Sequence, residues 1–202
     1  MPDTCPLFQG PGFVARPLAA PQLPLLQALF EANPAYFRAV NGRTAAPDEA
    51  QAEFGELPPP HLPFRQRWVA GLSDDAAGDD APLLGVVVVL ADLGVAGVWH
   101  IALLLLDQAC HGSGLAAAVM AGLQAWARAD GAQWLRLGVV AGNRRAERFW
   151  LRQGFAEVRV RHGADTGGRL NSVRVLVKPL AGGTLAGYLQ QMPRDHPASD
   201  LP

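Results

Sequence analysis

Cysteine is scarce in this chain: Cys5 and Cys110 are the two in 202 residues. Two thiols make neither a disulfide framework nor the clustered spacing of a zinc site, and the five histidines are scattered. Charge is thin as well, at 17% of residues with a net of −1 and a pI of about 6.5. So balanced a chain lacks the basic field that a nucleic-acid partner or an anionic bilayer would recruit. The opening MPDTCPLFQG has no basic segment followed by an apolar one, so export is not expected and a cytoplasmic location is. No Lys follows a glycine turn in the Walker pattern, and Gly112-Ser113-Gly114 lacks the flanking glycines of a nucleophile elbow. Tyrosine occurs only at positions 36 and 188.

What the chain has in quantity is aliphatic side chains. Half of its residues are hydrophobic, which at this length supports one packed domain, expected over 1–180. The glycine- and proline-containing stretch 181–202 reads as a partly ordered tail. Leu83 to Leu106 is long enough to span a bilayer, but Gly85, Gly94, Gly97 and a mid-span Asp92 argue against a membrane helix. The β-branched run Val86 to Val89, the turn-like Ala91-Asp92-Leu93-Gly94 and a second apolar run read instead as two buried strands in a hairpin. The acidic residues Asp74, Asp75, Asp79 and Asp80 read as a solvated turn.

Seven strands are expected: 13–18, 65–72, 84–90, 98–106, 134–140, 155–161 and 172–180. Helices are expected over 21–32, from Pro34 to Asn41-Gly42, over about 47–56, from 115 to Asp130-Gly131, and over 143–153. Leu115, Val119, Leu123 and Trp126 recur at helical spacing and predict one apolar stripe against a sheet. Just before them stands His111-Gly112-Ser113-Gly114. A glycine turn opening a helix presents unpaired N–H groups at the positive end of the helix dipole, which is an anion site.

The stretch from His111 to Ala116 resembles the (Gln/Arg)-x-x-Gly-x-(Gly/Ala) loop of the GNAT acyltransferases, with His111 where Gln or Arg is usual. Downstream, Asn143, Ala146, Phe149, Trp150, Gly154 and Phe155 resemble that family's Asn-x-x-Ala-x-x-Phe-Tyr-x-x-x-Gly-Phe. The close resemblance covers 98–160. It implies an α/β (α+β) GNAT fold, a mixed seven-stranded sheet with helices on both faces, and acetyl-CoA as acyl donor without a metal. It implies N-acetylation of a primary amine on a small molecule or peptide by direct transfer. A homodimer is a family-level expectation; nucleic-acid and membrane partners are not expected.

Residue by residue, the resemblance places diphosphate on the amides from His111, Gly112, Ser113 and Gly114 to Leu115 and Ala116. It places pantetheine along the main chain of Leu104 and Leu106, flanked by Asn143, Phe149 and Trp150. Ser113 and Asn143 each have a second reading as helix caps. Trp150 stands where many members have a Tyr that protonates the thiolate, and indole is no practical acid. Tyr36 or Tyr188 would have to serve, unless water does. His100 is the candidate general base, sharing side-chain parity with Leu104 and Leu106 if no bulge intervenes, against a second reading as a core histidine. Tyr36 and Phe37 would line the acceptor side; Trp68 would line it or fill the core; Cys110 reads as an apolar filler. The competing class is a domain on the same fold that binds acyl-CoA only as a sensor or interaction module, distinguished by whether an acceptor cavity is open.

Overall fold

The computed structural model describes residues 5–76, 78 and 81–201; Asp79 and Asp80 of the acidic turn lie outside them. The strands are β1 (Phe8–Gly10), β2 (Phe13–Pro17), β3 (Gln66–Ser73), β4 (Gly85–Ala91), β5 (Val98–Leu106), β6 (Trp134–Val140), β7 (Ala156–Asp165) and β8 (Leu170–Pro179). The helices are α1 (Leu23–Glu31), α2 (Pro34–Val40), α3 (Glu49–Gly55), α4 (Leu115–Ala129), α5 (Arg144–Arg152) and α6 (Leu185–Gln191). All eight strands form one sheet in the order β1-β2-β3-β4-β5-β6-β8-β7. Every pair is antiparallel except β5 and β6.

The strand count is therefore eight rather than seven. The extra strand, β1, has three residues, too short to show an alternation. Pairing with β2 and the stacking of Phe8 on Trp126, 5.5 Å between ring centroids, hold it in place. The run 83–106 is the expected hairpin, β4 against β5, and no helix among the described residues is long and apolar enough to cross a membrane.

Three apolar clusters build the layers. On one face Val119, Met120, Leu123 and Ala127 of α4 pack on Trp99, Ile101, Leu135 and Leu137, burying the stripe that helical spacing predicts. Trp68 lies in this layer, stacked on Trp99 at 5.5 Å, so it fills the core. On the other face α1 and α2 place Leu26, Leu29, Phe30 and Phe37 over Val86, Val88, Leu103 and Leu105. Beside them Tyr188 of α6 packs on Val98, Trp134, Val175 and Val177. The segment expected as a tail thus carries a helix and three buried residues, Tyr188, Met192 and Asp195. Its glycines and prolines conceal a helix capped by Thr184, whose hydroxyl accepts from Gly187 N at 3.0 Å.

Candidate active site

Two strands that begin together and then part create the site. β5 and β6 pair in parallel only from Val98↔Trp134 to Ile101↔Leu137. Beyond that point β5 follows β4 alone, with a bulge: Val88 pairs with Leu103 and Val89 with Ile101, leaving Ala102 as the extra residue. The bulge overturns the expected parity. His100 shares its face with Leu103 and Leu105, which pack under α1 and α2, while Leu104 and Leu106 turn towards α4. Main-chain alternation sets where the polar groups of Leu104 and Leu106 point. Asp107 N donates to Leu84 O at 2.9 Å, so the amides and carbonyls of Leu104 and Leu106 face away from β4, into the gap.

At the end of β5 a 3-10 turn (Gln108–Cys110) leads to the glycine loop and α4. Gly112 and Gly114 sit at φ +83 and +89, in the left-handed region that costs other residues strain. A β-carbon at either would meet nothing within 4 Å, so backbone conformation and not crowding demands glycine there. The amides of Gly112, Gly114 and Ala116 donate to no acceptor among the described residues, whereas Leu115 N donates to Ser113 Oγ at 3.2 Å. The Ser113 hydroxyl donates to Cys110 O at 2.7 Å, so its proton is committed to shaping the turn. His111 is exposed; partial desolvation and nearby Arg145 lower its pKa. The Cys110 thiol is pushed up by burial and by Asp107, which suits a filler better than a nucleophile.

The gap between β5 and β6 opens into a cleft of about 830 Å³ that runs from α2 and α3 on one side to α5 on the other. Asn143 lies at its α5 end, its side chain accepting from Ala146 N at 3.3 Å, so it caps the helix and lines the cleft at once. Trp150 is buried at the same end, with Phe149 edge-on at 5.0 Å. The opposite end is lined by Tyr36 and Phe37. The β7–β8 hairpin roofs it: Thr166 Oγ1 and Asn171 Nδ2 both donate to Val40 O at 2.8 Å, tying the hairpin to the end of α2.

His100 is half-buried at the floor. Its Nδ1 lies 3.2 Å from both the main-chain oxygen and Nη1 of Arg136, its register partner on β6. Desolvation and the Arg136 charge push its pKa down to about 3. The ring is uncharged at neutral pH and too weak a base to strip an ammonium ion, although it remains a hydrogen-bonding group. Tyr188 is out of reach of a substrate: it is fully buried and its hydroxyl donates to Asp195 Oδ2 at 2.5 Å. Tyr36 is the tyrosine on the cleft, its phenol pushed up by burial and by Glu53, Glu49 and Glu56.

The motifs did not point to α3. Glu53 lines the cleft, its Oε1 accepting from Arg67 Nη2 at 2.8 Å, and burial with the neighbouring Glu56 raises its pKa to about 7. Acids at i and i+4 of a predicted helix, Glu49 and Glu53, were the available signal, but only the fold turns that face inward. No group of three or more His, Cys, Asp or Glu that could hold a metal occurs among the described residues.

A mixed sheet whose one parallel pair parts beside a glycine loop opening a helix defines an acetyltransferase-type fold, and the comparisons agree. The acetyltransferase (GNAT) family model matches residues 26–155, and the chain belongs to that family. No curated relative matches it. Among solved structures it is similar to an acetyltransferase from Thermus thermophilus, at 21% identity and TM-score 0.63 over 84% of this chain and 97% of that one. A spermidine N-acetyltransferase from Vibrio cholerae, solved with CoA and spermine, matches at 14% and 0.61 over 83% and 95%. An acetyltransferase from Salmonella typhimurium that modifies the N-terminal serine of ribosomal protein L7/L12 matches at 14% and 0.64 over 85% and 96%. At these identities the likeness is one of fold.

Proposed function

We propose that the protein transfers an acetyl group from acetyl-CoA directly to a primary amine of a small molecule or peptide. The observation that carries this reading is the parting of β5 from β6 beside three uncommitted amides, at Gly112, Gly114 and Ala116. Those amides and the α4 dipole suit a diphosphate, and Arg145 near His111 adds the charge that a neutral imidazole lacks. Leu104 and Leu106 offer main-chain groups to an amide-bearing arm, as an added strand would use them. Asn143 and Trp150, with Phe149 packed edge-on against the indole, would flank that arm.

The acceptor enters between α2–α3 and the β7–β8 hairpin, past Tyr36 and Phe37. Its nitrogen attacks the thioester carbon, the C–S bond breaks and CoA leaves as a thiolate, which water can protonate. The bulge leaves Ala102 without a register partner on β4, and a main-chain amide there would polarise the thioester oxygen. The amine proton passes to solvent in the cleft, with Glu53 the carboxylate poised to take it near neutral pH. His100 orients the neutral amine by hydrogen bonding. An open cleft favours transfer over an acyl-CoA-binding module.

Thiol release from acetyl-CoA, screened against amines, amino acids, polyamines and peptides, is the test, run beside calorimetry with CoA. Release with at least one amine and heat with CoA are expected. A chain that shows neither is not an acetyltransferase of this kind.

A further inference from the structure

The cleft has two electrical ends. At the β7 side Arg136, Arg161 and Arg194 surround a single carboxylate, Asp195, which is fully buried. Arg136 spends Nε and Nη2 on Asp195 at 2.7 and 3.2 Å and sets Nη1 beside His100. Arg161 gives only Nη2, to Asp195 Oδ1 at 3.0 Å and Arg194 O at 3.2 Å. Its Nε is buried without a partner, as is the Nε of Arg194, and its Nη1 makes no hydrogen bond among the described residues. Burial first, and then the crowding of like charge in this corner, lowers the pKa of both arginines. Two guanidiniums paired to one carboxylate, with that of Arg194 close enough to feel them, leave a surplus of positive charge that a second anion would relieve.

Arg159 donates to the main-chain oxygens of Arg194, Ser199 and Leu201, and Arg43 to Glu49 and Thr44 O. Arg43 also lines the cleft, its Nε and Nη2 unbonded among the described residues, but it is exposed, so water serves them. Of the arginines lining the cleft that are shielded from solvent, Arg161 alone keeps an uncommitted end. At the α3 side the imbalance reverses. Glu49 is saturated by Arg43, Asn41 and Ala46 N, whereas Glu53 Oε2 takes no hydrogen bond among the described residues.

We infer that the acceptor is a zwitterion, an amine that also bears a carboxylate, and that Arg161 holds the carboxylate while the amine lies towards Glu53. This rests on the acetyl-transfer reading and narrows it: a purely cationic polyamine would set a like charge against Arg161, and a neutral amine would leave it unpaired.

The test compares the common amino acids and short peptides with their C-terminal carboxamides, and with spermidine and tyramine as carboxylate-free amines. Thiol release is measured for the wild type, Arg161→Gln and Arg161→Lys. A carboxylate-bearing amine should exceed its carboxamide in kcat/KM by about 30-fold or more, the scale of a desolvated charge pair. Arg161→Gln should raise KM for that amine with little change in kcat or in CoA affinity, and Arg161→Lys should recover part of the loss. Melting curves with CoA plus each compound read the same preference without turnover and confirm that both variants fold. Equal use of acids and carboxamides, preference for spermidine, or an Arg161→Gln effect shared by every amine would overturn the inference while leaving acetyl transfer intact. No CoA heat and no release with any amine would remove the transfer reading itself. Absence of a carboxylate-dependent melting shift in that case would dispose of the inference as well.

Discussion

Gly114 opens α4 from a left-handed backbone position with open space around it, so a β-carbon there brings strain and no clash. Gly114→Ala should cost about 1–2 kcal/mol of loop strain, read as a melting temperature lower by about 2–8 °C and, where the loop shifts to relieve the strain, roughly a tenfold weaker Kd for CoA by calorimetry. His100 makes a different kind of demand. His100→Ala should lower kcat and leave CoA affinity alone. The pH–rate profile above pH 5 should keep its wild-type shape in His100→Gln, because a group with a pKa of about 3 does not titrate there. A limb near pH 6.5 that vanishes in that variant would restore His100 as the base. His111 and Ser113 were legible as a turn from their neighbours, but which donors stay uncommitted is a matter of angles: Ser113 Oγ bends back to Cys110 O.

At the scale of elements, β5 decides the most. The composition of Val98 to Leu106 announces a buried strand, and the structure has one there. The strand nevertheless changes faces halfway, at Ala102, because pairing with β4 accommodates one residue too many. An apolar run gives no period from which such a slip can be read, since either face of it is equally hydrophobic. A bulged residue tolerates loss of its N–H, so Ala102→Pro should fold. If the Ala102 amide polarises the thioester, that variant should lose about 100-fold in kcat, with CoA affinity retained. Unchanged turnover would move the oxyanion donor elsewhere. α6 was invisible for the opposite reason: its seven residues, LAGYLQQ, carry too few apolar positions to show a stripe, and Tyr188 finds its place only against Trp134 and Val177.

Across the whole molecule, charge buried far apart in sequence ties the two ends of the fold together. Asp195 joins Arg136 of β6, Arg161 of β7 and Tyr188 of α6. Asp195→Ala strands those partners and should cost about 3–5 kcal/mol of stability, measured by denaturant unfolding. Its guanidinium partners hold the Asp195 carboxyl below the usual carboxylate range, against burial. The stabilisation is therefore complete above the unfolded value near 3.8 and is lost as pH falls below it. His100 and Glu53 pull in opposite directions at milder pH. With His100 lowered from 6.5 to about 3, the unfolded chain binds the extra proton between those values, so stability rises with pH there. With Glu53 raised from 4.5 to about 7, the folded chain binds it, so stability falls as pH rises through that interval. His100→Gln should thus gain melting temperature at pH 5 relative to pH 8, and Glu53→Gln at pH 8 relative to pH 5. Parallel shifts in both variants would contradict these environments.

Local information sufficed for whatever has a short physical cause. Glycines at 112 and 114 before an apolar stripe specify a turn and the helix it opens. Hydrophobic period and punctuation specify most strands, and together these motifs identified the family. Three features that make the site were decided elsewhere: the slip at Ala102, the parting of β5 from β6, and the unequal charges that Asp195 and α3 bring to opposite ends of one cleft. Each depends on which segments pair and what they exclude from water, and neither pairing partner nor desolvation is written in the residues of any single stretch.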